Sequence, residues 1–163
     1  MNDRGVVAGP PGPRTGTTFL LAQLGAHAAQ RFAERIAELE LTPPQTGLLR
    51  CVAQRPGQSQ QVIAGQLGTT PSRLVALVDG LQQRGLIERR RNPGDRRHYA
   101  LHLTDAGRRC MASIGQAVRQ HEDALCAGLS AAERAQLQAL LARLATGQGL
   151  ATLAHPGYGS LLL

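Results

Sequence analysis

Six arginines fall within fourteen residues: Arg84, Arg89, Arg90, Arg91, Arg96 and Arg97, set against only Glu88 and Asp95. That stretch holds +4 of the chain's formal charge of +7. All 18 basic residues of the chain are arginine. A guanidinium is a planar fork whose paired donors fit phosphate oxygens and the major-groove edge of guanine. Charge focused in this way predicts an anionic partner. The plainer alternative is a solvated surface run, and the elements around the arginines decide between the two.

Other chemistries find little footing. Three cysteines, Cys51, Cys110 and Cys126, are widely spaced and odd in number. A disulfide framework is not expected, and a reducing cytoplasm is the simpler location. Packing explains each thiol better than reactivity. The histidines are His27, His98, His102, His121 and His155. His98 and His102 are four apart but on a predicted strand, where four residues span ~13 Å, too far for one ion. No metal site and no cofactor are expected. No phosphate-binding glycine loop, dinucleotide fingerprint or nucleophile elbow occurs, so the chain reads as a non-enzyme. It has no long apolar run for a membrane span and no basic-then-apolar start for a secretory signal.

The elements that would position the arginines follow from periodicity and punctuation. Residues 1–16 repeat glycine and proline and are expected to form a disordered arm. Leu21, Leu24, Ala28, Phe32, Ile36 and Leu39 recur at helical spacing and predict a helix over 17–39 with one buried face. Thr42-Pro43-Pro44-Gln45 is a capped helix start. Leu48, Leu49 and Val52 form its stripe, and Pro56-Gly57 ends it. Ser59 caps a short helix with Val62, Ile63 and Leu67 inside, stopped by Gly68. Thr70 and Pro71 open the next, with Leu74, Leu77, Val78 and Leu81 buried, Arg84 beside its C-terminal dipole and Gly85 closing it. Leu86 to Arg91, a turn at Asn92-Pro93-Gly94-Asp95, and alternating Tyr99, Leu101 and Leu103 predict a hairpin. Thr104-Asp105 starts a long helix reaching about Gly128, with Met111, Ile114, Val118, His121 and Leu125 as a heptad-like seam. Ser130 to Glu133 is a capping box for a last helix carrying Leu137, Leu140, Leu141 and Leu144.

Two helices joined by a tight turn and followed by a basic hairpin make a winged helix, a shape that suits duplex DNA. The face opposite Leu74 and Val78 shows Ser72, Arg73, Val75, Ala76 and Asp79. Arg73, near the helix start, is the side chain there able to hold a guanine by two hydrogen bonds. Its plainer alternatives are phosphate alone, Asp79 or solvent.

At these residues the chain resembles the multiple-antibiotic-resistance regulator (MarR) family of bacterial transcription factors, over roughly 19–146. The most specific stretches are Gly85 to Arg90, Asp95-Arg96-Arg97, and Leu101 to Gly107. Leu41 to Gln45 and Gln61 to Gly68 also look like the family. The resemblance implies an obligate homodimer whose first, fifth and sixth helices form the dimer lobe. It also implies repression at palindromic sites and release by a small molecule or by cysteine oxidation. The wing motif Asp-x-Arg falls on Asp95 and Arg97, which implies Arg97 in the minor groove with Asp95 bracing a hairpin arginine. The early first-helix cysteine of peroxide-sensing relatives is missing between 17 and 39.

The expected fold is mainly α with a small β-hairpin wing: a winged helix-turn-helix with a helical dimerisation lobe. Its parts are a dimerisation helix over 17–41, a DNA-binding domain over 42–104, dimerisation helices over 105–146, and an unplaced tail over 147–163. The expected function is a dimeric DNA-binding repressor released by an unknown small molecule. The rivals are an architectural DNA-binding protein without a ligand and a protein-interaction module. The DNA-binding residues are Thr70, Ser72, Arg73, Val75, Ala76, Arg89, Arg91, Asp95, Arg96 and Arg97. His27 and Arg31 are the candidates to meet an anionic ligand, against the plainer reading of a solvated helix face.

Overall fold

In the computed structural model, residues 16–92 and 95–150 are described, with the side chains of 92 and 95–98 outside the description. The expectations for the arm before residue 16 and for the tail beyond 150 therefore lie outside the described residues. The order is α1 (Thr17–Ala37), α2 (Pro43–Gln54), α3 (Gln60–Leu67), α4 (Pro71–Gln83), β1 (Ile87–Asn92), β2 (Asp95–Leu103), α5 (Asp105–Leu125) and α6 (Ala131–Gly147). The fold is mainly helical with one two-stranded antiparallel sheet. No described helix is long and apolar enough to cross a membrane.

Local signals set the helix starts. The Thr42 hydroxyl accepts from Gln45 N while the Gln45 side chain accepts from Thr42 N, closing the capping box on α2. Ser130 and Glu133 do the same for α6. Ser59, Thr70 and Thr104 each cap a helix through the amide three residues on. Each cap satisfies an amide that has no partner inside its helix. Gly68 ends α3 at φ 61°, a left-handed conformation that a side chain would penalise.

The core lies where α1, α2, α3, α4, the hairpin and α5 meet. Ile36, Leu48, Leu49, Ile63, Leu74, Val78, Leu81, Ile87, Leu101 and Ile114 are buried there. The hairpin pairs Ile87 with Leu103, Arg89 with Leu101 and Arg91 with Tyr99. Gly107 packs α5 backbone-to-backbone onto the residue before β1: a Cβ there would sit 2.0 Å from the Leu86 carbonyl oxygen.

Several apolar residues expected inside are not. Leu21 and Leu24 are 40% and 54% exposed, so of the expected stripe it is Phe32, Ile36 and the half-buried Leu39 that meet the core. The helix also stops at Ala37, leaving Leu39 in the following turn. Val62 is on the outer side of α3 because Ile63, Ala64 and Leu67 take the inner one. Tyr99 faces outward, while Ala100 is buried beneath a bridge to Ser59. That extra pairing along β2 breaks the simple alternation expected for a half-buried strand. The long helix ends at Leu125, before Gly128. No α6 residue is buried, and Leu137, Leu140, Leu141 and Leu144 all lie open.

Candidate nucleic-acid interface

The turn between α3 and α4 is three residues long, and Thr69 N donates back to Ala64 O at 3.0 Å. The Thr70 hydroxyl accepts from Arg73 N at 3.4 Å and lies 3.2 Å from Ser72 Oγ. The cap therefore aligns the first turn of α4, and the helix presents a continuous outer face. Thr70, Ser72, Arg73, Val75 and Ala76 are all exposed on it, while Leu74, Val78 and Leu81 hold the inner side. This puts the capped N-terminus of a helix and the Arg73 side chain on one surface, an arrangement suited to a phosphate backbone and to base edges.

The hairpin arginines divide. Arg91 is exposed. Arg89 turns inward across α4: Nη2 meets Asp79 Oδ1 at 2.5 Å and Nη1 donates to Gln82 Oε1 at 2.6 Å. Its side chain is only 21% exposed. Arg89 thus ties the base of the wing to the outer helix. Arg90 pairs with its neighbour Glu88. Arg84 does not serve its own helix end as expected: its guanidinium donates to the carbonyls of Glu40 and Leu39 in the turn after α1. Asp95, Arg96 and Arg97 open β2, and the roles expected of them rest on side chains outside the description.

Sequence reasoning missed the flank of α4. Gln60, Gln61, Pro71, Val75 and the outward Tyr99 line a cleft of about 360 Å³ between α3, α4 and β2. The one available signal was the tyrosine itself, whose hydroxyl favours a wet position.

Two further cavities lie away from this face. One, of about 380 Å³, opens between α2, the hairpin and α5, with Arg90, His102, Arg108 and Met111 among its walls. The other, of about 190 Å³, lies between α1 and α5 and brings His27 and Arg31 together with Arg35 and His121. Cys51, Cys110 and Cys126 are each half-buried. Burial pushes the thiols of Cys51 and Cys110 up, against the pull of nearby arginines. Among the described residues no three His, Cys, Asp or Glu side chains gather as a metal site would require.

Comparison with known proteins agrees with this geometry. A family model described as "MarR family" matches residues 41–99. A putative transcriptional regulatory protein for the hcr operon of Thauera aromatica is 38% identical over 133 residues, covering 77% of this chain and 80% of the relative. The transcriptional repressor CouR, solved bound to a 23-mer DNA duplex, superposes with a TM-score of 0.70 at 35% identity, covering 80% of this chain and 92% of the other. The PcaV transcriptional regulator of Streptomyces coelicolor, solved with its natural ligand, gives a TM-score of 0.64 at 29% identity, covering 81% and 93%.

Proposed function

The chain belongs to the MarR family of DNA-binding transcriptional regulators, which are not enzymes, and from that premise we propose that it is a homodimeric repressor released from a palindromic promoter site by a small molecule. The observation that carries the DNA-reading part is the capped outer face of α4 lying beside an arginine-bearing hairpin. In this reading Ser72, Arg73, Val75 and Ala76 enter the major groove, with Thr70 at the helix mouth. Arg91, Arg96 and Arg97 serve the backbone and the minor groove, Asp95 braces the wing, and Arg89 sets its angle. CouR's DNA complex supports the same use of the fold.

The dimer is proposed from the uncovered apolar faces. Phe19, Leu20, Leu21 and Leu24 on α1 and Leu137, Leu140, Leu141 and Leu144 on α6 are each at least 40% exposed. Apolar helix faces left open in this way are unusual on a soluble monomer. In a second copy it finds a partner of the same chemistry, with residues 17–41 and 105–146 as the dimer lobe and 42–104 as the DNA-binding domain. The protein then acts in the cytoplasm, with its target DNA. An effector seated at His27 and Arg31 is proposed from their shared cleft, and PcaV's ligand complex supports small-molecule control.

Sedimentation tests the assembly. Twice the chain mass is expected at micromolar concentration, and Leu137→Asp with Leu141→Asp should give monomers with weakened DNA binding. A parent monomer that binds DNA at full strength would overturn the dimer.

A further inference from the structure

The turn between α1 and α2 joins a helix of the proposed dimer lobe to the domain proposed to read DNA, and its backbone is unusual. Among the described residues, Glu40 is the one non-glycine residue with positive φ, at 55°. Leu41 N donates to Ile36 O at 3.3 Å, and Glu40 N donates to Ala37 O at 2.8 Å. These are the paired bonds of a Schellman stop, in which the left-handed position ordinarily falls to glycine. The Cβ of a glutamate strains that conformation. Leu39 and Leu41, on either side, both pack into the core and pin the reversal at its flanks.

The carbonyls at this stop are taken by Arg84, the residue that closes the far end of α4. Its Nη1 donates to Glu40 O at 2.5 Å and its Nη2 to Leu39 O at 3.3 Å. Nη2 also lies 3.6 Å from Glu40 Oε2, but that side chain is largely exposed and solvent screens the pair. The carbonyl bonds therefore hold the junction, and a cation there also suits the C-terminal dipole of α1. The Arg84 charge reaches α5 as well, where it draws the Cys110 thiol down against the larger, opposing effect of burial. One guanidinium thus stands between the end of the reading helix and two helices of the proposed dimer lobe.

We propose that Arg84 is a positioning residue: by clamping the Leu39–Glu40 turn it fixes the angle between the dimer lobe and α4, and with it the half-site spacing the protein accepts. The proposal rests on the homodimeric reading above. Phe32 and Ile36 also tie α1 to the core, but apolar attraction is non-directional. Two bonds from one planar guanidinium are directional, and they run from the end of α4 to the end of α1. In a symmetric dimer the junction occurs in both subunits, so freedom in it moves each α4 relative to the other. An added base pair shifts one half-site by ~3.4 Å along the duplex and turns it by about 34°. A clamped junction resists that displacement, and a loosened one follows it in part.

Binding of the full chain to a series of duplexes tests this. The duplexes carry an operator selected from random sequence, with the spacer between half-sites shortened or lengthened by one and two base pairs. The parent should prefer its native spacing by about tenfold or more over a one-base-pair change. Arg84→Ala should lose affinity at the native spacing and compress that preference to within about threefold, with base preference inside each half-site unchanged. Arg84→Lys, which keeps the charge but not the fork, should fall between the two. Glu40→Gly, which keeps both carbonyls and suits the left-handed backbone, should retain the parent's preference. Urea midpoints show which variants are folded, and Arg84→Lys carries the test if Arg84→Ala does not fold. An equal loss at every spacing in folded variants would make Arg84 a stabilising contact only and overturn the proposal. A parent indifferent to spacing would overturn the symmetric-dimer reading itself, and the role of Arg84 with it.

Discussion

Gly107→Ala is the substitution whose consequence the geometry defines most sharply. The added Cβ would lie 2.0 Å from the Leu86 carbonyl oxygen, 3.1 Å from its carbon and 3.3 Å from Leu103 Cδ2. Ordinary contacts sit near 3.5 Å, so backbone must separate from backbone, with no flexible side-chain end to yield. The same Leu86 oxygen accepts from Thr104 N at 3.2 Å, and the Thr104 hydroxyl donates to Gly85 O at 2.5 Å while capping Gly107 N at 3.0 Å. Separation therefore strains the junction of wing and α5. Overpacking costs about 1–3 kcal/mol and a lost buried hydrogen bond about 1–3 kcal/mol. Alanine's helix propensity returns about 1 kcal/mol. A net loss of roughly 1–5 kcal/mol should lower the urea midpoint by about 0.5–2.5 M at a slope of about 2 kcal/mol per M. Gly115→Ala on the same helix is the control, because its Cβ meets only the flexible end of Arg119 at 3.5 Å. It should leave the midpoint unchanged or raise it. Equal midpoints for the two variants would refute the close-packing argument.

Four further outcomes follow from the interface. Arg73→Ala should cost ~1–3 kcal/mol on the cognate site and relax preference at one base pair per half-site. Arg97→Ala should weaken cognate and unrelated duplexes more evenly, and binding assays of both variants on both duplexes distinguish the roles. Affinity should fall steeply with salt, with a log–log slope of about −0.9 per neutralised phosphate, and a flat response would leave the hairpin as a solvated surface. Because Arg89 grips Asp79 and Gln82, a double-mutant cycle of Arg89→Ala and Asp79→Ala should show a stability coupling of up to about 1 kcal/mol, since the acid is partly exposed. Loss of DNA affinity without coupling to Asp79 would instead make Arg89 a direct contact.

What was legible in the sequence was local. Thr42 with Gln45, Ser130 with Glu133, and Thr70 before Pro71 mark helix starts through bonds spanning three residues, and each occurs as expected. The wing was legible because a polar turn separates two runs of matching register. What escaped depends on distant partners. Arg89 and Arg91 are alike in sequence, but only Arg89 points at Asp79, ten residues away. Ala100 is buried because Ser59 bridges to it from another loop. Arg35 reaches Gln120 across 85 residues, so its company with His27, Arg31 and His121 has no sequence signature. Leu21, Leu24 and the α6 leucines show helical periodicity, yet their apolar faces stay open within one chain. Periodicity predicts that a face is apolar without saying whether its cover belongs to the same molecule.

Selection of bound duplexes from a random-sequence pool tests the central claim most directly. Two symmetric α4 helices entering one side of a duplex should recover an inverted repeat with half-sites about one helical turn apart, ~34 Å centre to centre. The same selection with Arg73→Ala should keep the spacing and lose information at one base pair in each half. A single unrepeated site, or a pool that emerges with no preferred sequence, would contradict a dimer that reads DNA through α4.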